Sequence, residues 1–476
     1  MAIVKKVKKP VRMISGVTVV AIMATPYPCP HGRCIYCPGG VEIGTPQSYL
    51  EDSPAVMRAL QYNFDPYEQV RGRLLQYRAM GHKPSKVELI VMGGTFPAMP
   101  RSYQEWFIAN ALEAMNRFPQ RKIKEPSLEK AQMKNEHAKI RCIGLTLETR
   151  PDWSKEKHVD WFLHLGATRI ELGVQSIYDD ILKLIKRGHT VKDTIEATRI
   201  LKDAGYKVVY HVMPGLPGSD PDRDLEMIKE IFENPEFKPD MLKIYPTLVI
   251  PGTILYSLWK RGIYKSYDQE TWIELIAKMK TLIPRYVRIM RVQRDLPLYH
   301  IVDGPKIGNL RQVVKEYMAK KGLKCKCIRC REVGHYFLKT GLKPSSTLKM
   351  EKLIYEASMG IEVFLSFIDD ADLIYGFLRL RIPSENAHRW EIDGKTAIVR
   401  ELHVYGPQIP VGERNSEFWQ HKGLGRKLLF EAEKIAREEF DSRKMLIISG
   451  VGAREYYRRF GYRRHKRSFY MVKKLH

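Results

Sequence analysis

Short apolar runs recur along the first half of the chain, at residues 17–24, 87–92, 140–148, 169–175, 207–214 and 241–246. Each is short and rich in Val, Ile and Leu, as expected of a strand covered on both faces. Stretches with helical period lie between them, at 154–165, 190–204 and 222–232. Alternation of this kind predicts a parallel sheet with crossover helices. Closed or partly closed, it becomes a TIM-like barrel with its site at the C-terminal ends of the strands. The highly charged insert 121–139 is read as a mobile loop. From about residue 336 the pattern changes: strands at 362–368, 373–381 and 396–404 precede an amphipathic helix at 426–440 and a strand at 445–449.

Composition narrows the class. The chain has 476 residues, 44% of them apolar, which suits several packed domains and excludes general disorder. No apolar run approaches the ~18–20 residues that span a bilayer. The basic segment 1–12 is followed by a short apolar run and then Pro26, Pro28 and Pro30, not a cleavage site. The expectation is a cytoplasmic protein with no membrane partner. A net charge of +26 calls for a polyanion: nucleic acid, an anionic surface or a phosphate-rich cofactor.

Six of the seven cysteines fall into two tight triplets, spacing that suits metal or redox sites. Cys142 lies in an apolar run and reads as a buried small hydrophobe. The first triplet is Cys29-x4-Cys34-x2-Cys37, with Tyr36 before the last thiol and Pro38-Gly39-Gly40 after it. Three thiolates can hold three irons of a four-iron cluster and leave the fourth open. Zinc, with His31 as a fourth ligand, is the competing reading. The second triplet, Cys325-x-Cys327-x2-Cys330, resembles a structural zinc clip whose fourth ligand is unassigned, with His335 nearby.

The first triplet resembles the cluster loop of radical S-adenosylmethionine (SAM) enzymes. Gly93-Gly94-Thr95 closes a strand-like run where that superfamily carries a Gly-Gly-Glu-like turn at the amino group of SAM. Glu148, Arg150, Gln175 and His211 stand at the same ends of their runs, and with Thr95 they outline one pocket. In the C-terminal region, Arg400-Glu401-Leu402-His403-Val404 precedes Gln420-His421-Lys422-Gly423-Leu424-Gly425 and a helix. Bare glycine backbone at a helix N-terminus suits an anion. The combination resembles the acetyl-CoA site of GNAT acetyltransferases. Tyr456 and Tyr457 resemble the tyrosine that such folds place near the thioester sulfur, where it acts as an acid.

Taken together, the chain resembles the catalytic subunit of Elongator in its archaeal stand-alone form. The segments that carry the likeness are 29–40, 91–96, 171–176, 401–406 and 450–457. The resemblance implies an α/β fold: a TIM-like radical SAM (β/α) barrel joined by a zinc-binding linker to an α+β GNAT acetyltransferase domain. Its parts would be a basic arm (1–16), the barrel (17–310), a Cys-rich zinc linker (311–335) and the GNAT domain (336–476). The implied cofactors are a [4Fe-4S] cluster on Cys29, Cys34 and Cys37, SAM, acetyl-CoA as co-substrate, and Zn on Cys325, Cys327 and Cys330. SAM would meet Gly93, Gly94, Thr95, Glu148 and Gln175. Acetyl-CoA would meet Lys86, Glu401 to Val404, Gln420, Gly423, Leu424, Gly425, Arg426, Tyr456 and Tyr457, with Lys86 and Tyr457 as the catalytic pair.

The implied activity is formation of 5-carboxymethyluridine at the wobble uridine (position 34) of tRNA. The implied partner is the anticodon stem-loop; a homodimer is left open, and a stand-alone form needs no other Elongator-like subunits. Lys5, Lys6, Lys8, Lys9 and Arg12, the series Arg285, Arg288, Arg291 and Arg294, and the cluster from Arg454 to Arg467 are read as basic faces for RNA. The principal alternative is a protein lysine acetyltransferase whose iron–sulfur barrel is structural.

Overall fold

In this computed structural model the described residues are 15–341, 345, 347–406, 423–465 and 467–476. Seven parallel strands stand side by side in chain order: β1 (Thr18–Met23), β2 (Lys86–Met92), β3 (Arg141–Thr149), β4 (Arg169–Gln175), β5 (Lys207–Val212), β6 (Met241–Ile244) and β7 (Arg288–Arg291). Among the described residues β7 does not pair back to β1, so the barrel is incomplete. Alternation along β4 shows how it is built. Ile170, Leu172 and Val174 enter the apolar core under the helices, while Arg169, Glu171 and Gln175 take the opposite, lumenal face.

The first six strands fall on the apolar runs. The seventh escapes the pattern because arginines surround its one buried residue, Ile289. In the fold each of those arginines has a partner within the chain. Arg288 donates to Glu332 (2.8 Å) and Tyr405 (2.8 Å), Arg285 to Asp372 (2.6 Å) and Glu351 (2.8 Å). Arg291 pairs with Asp295, and Arg294 reaches the Ser48 carbonyl. The insert 121–139 is no loop throughout. It forms the helix Leu128–Asn135, whose Leu128, Ala131, Gln132 and Asn135 share one buried face at helical spacing.

The second sheet runs β13 (Arg463–Arg464), β14 (Met471–Lys474), β12 (Lys444–Ile447), β11 (Thr396–Val404), β10 (Ile374–Ile382), β9 (Gly360–Ile368), β8 (Lys349–Ala357). Only β11 and β12 run parallel, and they pair only from Thr396↔Lys444 to Val399↔Ile447. Beyond Val399 the two strands no longer pair. The helix Leu424–Glu438 packs on β9, β10 and β11 through Leu428, Leu429, Ala432 and Ile435.

A buried ion network locks the two sheets together. Arg400 on β11 donates to Asp240 (2.6 and 2.7 Å) and Glu362 (2.7 Å). Lys202 lies 3.7 Å from Asp240 and 3.5 Å from Glu362. Arg381 reaches Asp203 at 2.6 Å. Asp240 also accepts the Val208 amide at 2.8 Å, tying the network to β5. Burial would push the Asp240 carboxyl up, but Arg400 and then Lys202 hold it well below the ordinary range. Among the described residues no helix is long and apolar enough to cross a membrane.

Candidate functional site

The barrel carries a different site at each mouth. At the C-terminal mouth, the loop after β1 brings Cys29, Cys34 and Cys37 to the strand ends, with Cys34 and Cys37 buried. Ile35 anchors it, its amide donating to the Ile185 carbonyl (3.2 Å) and its carbonyl accepting from Leu255 (2.8 Å). Gly39 has no substitute: a Cβ there would fall 2.0 Å from the Tyr49 carbonyl, at φ +72°. Across the mouth β2 ends in Gly93 and Gly94, both at positive φ. A Cβ on Gly94 would stand 3.7 Å from the Cys29 sulfur, so bare backbone faces the thiol. Thr95 Oγ1 lies 3.7 Å from the same sulfur. Ser48 Oγ and His31 Nε2 lie 3.1 Å from the sulfurs of Cys37 and Cys34 respectively. Burial, then Cys34, pushes the Cys37 thiol up to about 11.

The two triplets differ in geometry. Cys325, Cys327 and Cys330 bring their sulfurs within 4.8 Å of one another, whereas Cys29, Cys34 and Cys37 form no such group. Sulfurs on one zinc, at ~2.3 Å from the metal, sit roughly 3.8 Å apart. Thiols that each bind a different iron of one cluster stand further apart. The splayed first triplet therefore fits a cluster, and the converged second triplet fits a single ion. No fourth ligand joins the second triplet among the described residues. His335 turns instead toward Glu332, at 3.7 Å.

Between the mouths the lumen is filled by charge. Tyr49 donates to Glu148 (2.9 Å), Lys243 stands 3.7 Å from Glu148, and Lys243 and His211 both reach Glu171. Arg169 lies 3.8 Å from Glu171 and pairs with Glu88. Burial opposes ionisation of Glu171, but Lys243, then His211, hold its carboxyl far below the usual range. Gln175 closes β4 at φ +71°, a conformation side chains seldom adopt and one that clusters at sites. Its Oε1, Thr146 Oγ1, Glu171 Oε1 and two nitrogens of Arg169 are buried without a hydrogen-bond partner, as befits a lumen that takes water or ligand. Arg169, Glu171 and Lys243 were not singled out in the sequence. The signal was present: a charge inside an apolar strand run must be paired when buried.

At the N-terminal mouth a cleft of about 440 Å³ opens between the barrel and the point where β11 and β12 cease to pair. That size is usual for a ligand pocket. The barrel contributes Lys86, Glu88, Arg141, Gly144 and Lys207, and β11 contributes Glu401, Leu402, His403 and Val404. Gly423, Gly425, Arg426, Tyr456 and Tyr457 complete it, while Leu424 is buried behind as a core residue of its helix. Gln420 and Lys5 to Arg12 lie outside the described residues. Gly423 caps the helix at φ +80°, and a Cβ on Gly425 would meet the Tyr456 hydroxyl at 2.6 Å. Gly450 packs so tightly on β3 that a Cβ would lie 2.2 Å from the Ile143 carbonyl, sealing the cleft against the barrel. Glu401 accepts from Arg379 (2.9 Å), and His403 Nε2 lies 3.0 Å from the Ser15 carbonyl. Burial pushes Tyr456 up to about 12 and Tyr457 higher still, so both hydroxyls keep their protons at neutral pH. Burial lowers Lys86.

The sequence residues thus separate into two sets. Cys29, Cys34, Cys37, Gly93, Gly94, Thr95, Glu148 and Gln175 belong to the C-terminal end. Lys86, Glu401 to Val404, Gly423, Gly425, Arg426, Tyr456 and Tyr457 share the N-terminal cleft.

Comparison with known proteins finds two families along the chain. Residues 25–231 match the radical SAM superfamily, 239–320 the radical SAM C-terminal domain, and 416–473 the acetyltransferase (GNAT) domain. The chain is 56% identical over 463 residues to the tRNA uridine(34) acetyltransferase of Methanocaldococcus jannaschii, covering 96% of this chain and 84% of that one. It is 45% identical over 476 residues to human Elongator complex protein 3, covering 98% and 86%. A solved structure, the archaeal Elp3 of Methanocaldococcus infernus lacking residues 1–46, superposes with a TM-score of 0.85 at 51% identity, over 97% of this chain and all of that one.

Proposed function

The chain belongs to the family of tRNA uridine(34) acetyltransferases and Elongator complex protein 3, and we propose that it converts the wobble uridine of tRNA to 5-carboxymethyluridine. It is an acyltransferase of the radical SAM type. One observation supports the finer reading most: a single barrel holds a splayed thiol triplet at one mouth and an acetyl-CoA-like cleft at the other.

When bound, the cluster and SAM supply a carbon radical, and acetyl-CoA supplies the two-carbon unit. Cys29, Cys34 and Cys37 bind three irons. The side-chain-free turn of Gly93 and Gly94, with Thr95, Glu148 and Gln175, would hold SAM beside them. In the cleft, Glu401 to Val404, beyond the last pairing with β12, lie along the pantetheine arm. Gly423 and Gly425 open the helix N-terminus to the pyrophosphate, with Leu424 and Arg426 in the same first turn. Gln420 is assigned to the same group. Lys86 positions the acyl end against the barrel. The Tyr457 hydroxyl holds its proton at Oη for the departing sulfur, and Tyr456 closes over Gly425. Cys325, Cys327 and Cys330 hold a structural zinc. The excess positive charge draws the tRNA anticodon stem-loop, in the cytoplasm, and that charge disfavours a lysine-rich protein substrate.

The test is anaerobic. Reconstituted protein is incubated with reductant, SAM, acetyl-CoA and unmodified tRNA, and the digested tRNA is read by mass spectrometry. Carboxymethyluridine that vanishes when either SAM or acetyl-CoA is withheld supports the reading. Acetylated protein lysines with unchanged tRNA would replace it with the lysine acetyltransferase.

A further inference from the structure

Arg187 follows the helix Asp179–Leu184 and is buried against the cysteine loop. Its Nε and Nη2 both donate to the Gly173 carbonyl on β4, at 3.2 and 2.6 Å. The remaining nitrogen, Nη1, points at the Cys34 sulfur, 3.6 Å away. The surroundings are built around this pose. A Cβ on Gly173 would strike Arg187 Nη2 at 2.4 Å, and a Cβ on Gly188 would strike His31 at 2.7 Å. Arg150, clamped by Asp152 at 2.9 Å through two nitrogens, donates to the Arg187 carbonyl at 2.8 Å.

Among the described residues Arg187 forms no salt bridge with a carboxylate; its partners are one carbonyl and one sulfur. A guanidinium stays charged at any ordinary pH, and a buried charge without a counter-charge is costly. The buried arginines Arg400, Arg381 and Arg379 of the interdomain seam, by contrast, each have an acid: Asp240, Asp203 and Glu401 respectively. Among the described residues the one ionisable side chain that Arg187 hydrogen-bonds is Cys34.

We propose that Arg187 is a positioning residue for the iron–sulfur cluster, one that donates an N–H···S bond to the Cys34 ligand and sets the cluster's reduction potential. The inference rests on the cluster reading of the first triplet. Cluster potentials follow net charge, hydrogen bonds to sulfur and solvent exposure. Reduction adds negative charge beside a fixed positive one in a buried site, so Arg187 favours the reduced form. It thereby eases the electron transfer on which cleavage of SAM depends.

The test uses the full chain, reconstituted anaerobically, as wild type, Arg187→Lys and Arg187→Gln. Three quantities are read: iron per chain, the midpoint of the reduced-cluster EPR signal in a redox titration, and hyperfine coupling to nitrogen-15 in protein labelled at arginine. The expected result is wild-type iron content in both variants, a midpoint more negative in Arg187→Gln, and an intermediate one in Arg187→Lys. Wild type should show arginine nitrogen-15 coupling that Arg187→Lys loses. An unchanged midpoint in iron-replete Arg187→Gln overturns the proposal. So does a wild-type cluster without arginine coupling, which decides the matter even if the variants fail to load. Wild type that binds no iron removes the cluster reading itself.

Discussion

The two mouths of this barrel are made in different ways. The C-terminal mouth is assembled from side chains: thiols, a buried arginine and lumenal carboxylates carried on loops and strand ends. The N-terminal mouth adds backbone elements to its side chains: the end of β11, two glycines and a helix start face Lys86, Arg141 and Lys207 at the first residues of β2, β3 and β5, with Tyr456 and Tyr457 alongside. Active sites of such barrels gather at the C-terminal ends because the loops there vary freely. Here a second sheet covers the other end and builds a cleft into the cover. The seven residues of β2 separate the mouths by roughly 20 Å at ~3.3 Å per residue, with Lys86 at one end and Gly93 just past the other. The two sites therefore remain apart in space, and the charged lumen joins them.

That contrast can be broken from either end. Cys34→Ala removes a thiol proposed to hold the cluster, so tRNA product should fall by at least about a thousandfold, some 4 kcal/mol of barrier. Acetyl-CoA binding by calorimetry should be unchanged. Loss of both would merge the mouths into one site. Asp240→Asn strips the acid from a fully buried network around Arg400, and chemical denaturation should show a loss of about 3–5 kcal/mol. Tyr457→Phe should lower acetyl-CoA turnover by about a hundredfold through loss of one acid, with iron content untouched. The smallest effect is on pH. Asp240 and Glu362 titrate below the ordinary carboxylate range because Arg400 and Lys202 face them. Carboxylates depressed in the fold contribute stability that is full above their unfolded value, about 4, and lost below it. The thermal midpoint should thus stay level from pH 7 to 5 and drop beneath about pH 4.

Much of this was legible along the chain. Six strands of the barrel follow apolar runs, and the cysteine spacing and the glycine turns mark both sites. The rest was hidden for physical reasons. Arg288 looks like a solvated cation until Glu332 and Tyr405 are seen beside it. Glu136, in a charged insert, is buried against Arg454 (2.8 Å) and Arg458 (2.6 Å), partners more than 300 positions away. Arg187 shows no local signal at all, because its partner sulfur lies 153 residues earlier. Lys86 enters the cleft only because the second sheet docks on the N-terminal mouth. Pairing across the fold is not written in spacing.

The most direct test follows one atom from mouth to mouth. Acetyl-CoA deuterated at its methyl group is supplied with SAM, reductant and tRNA to the reconstituted protein. If the two ends serve one reaction, 5′-deoxyadenosine gains one deuterium and the new carboxymethyl group on tRNA keeps two. If 5′-deoxyadenosine forms unlabelled while acetyl-CoA is hydrolysed and the tRNA carries no label, the two mouths run separate chemistries and the account is wrong.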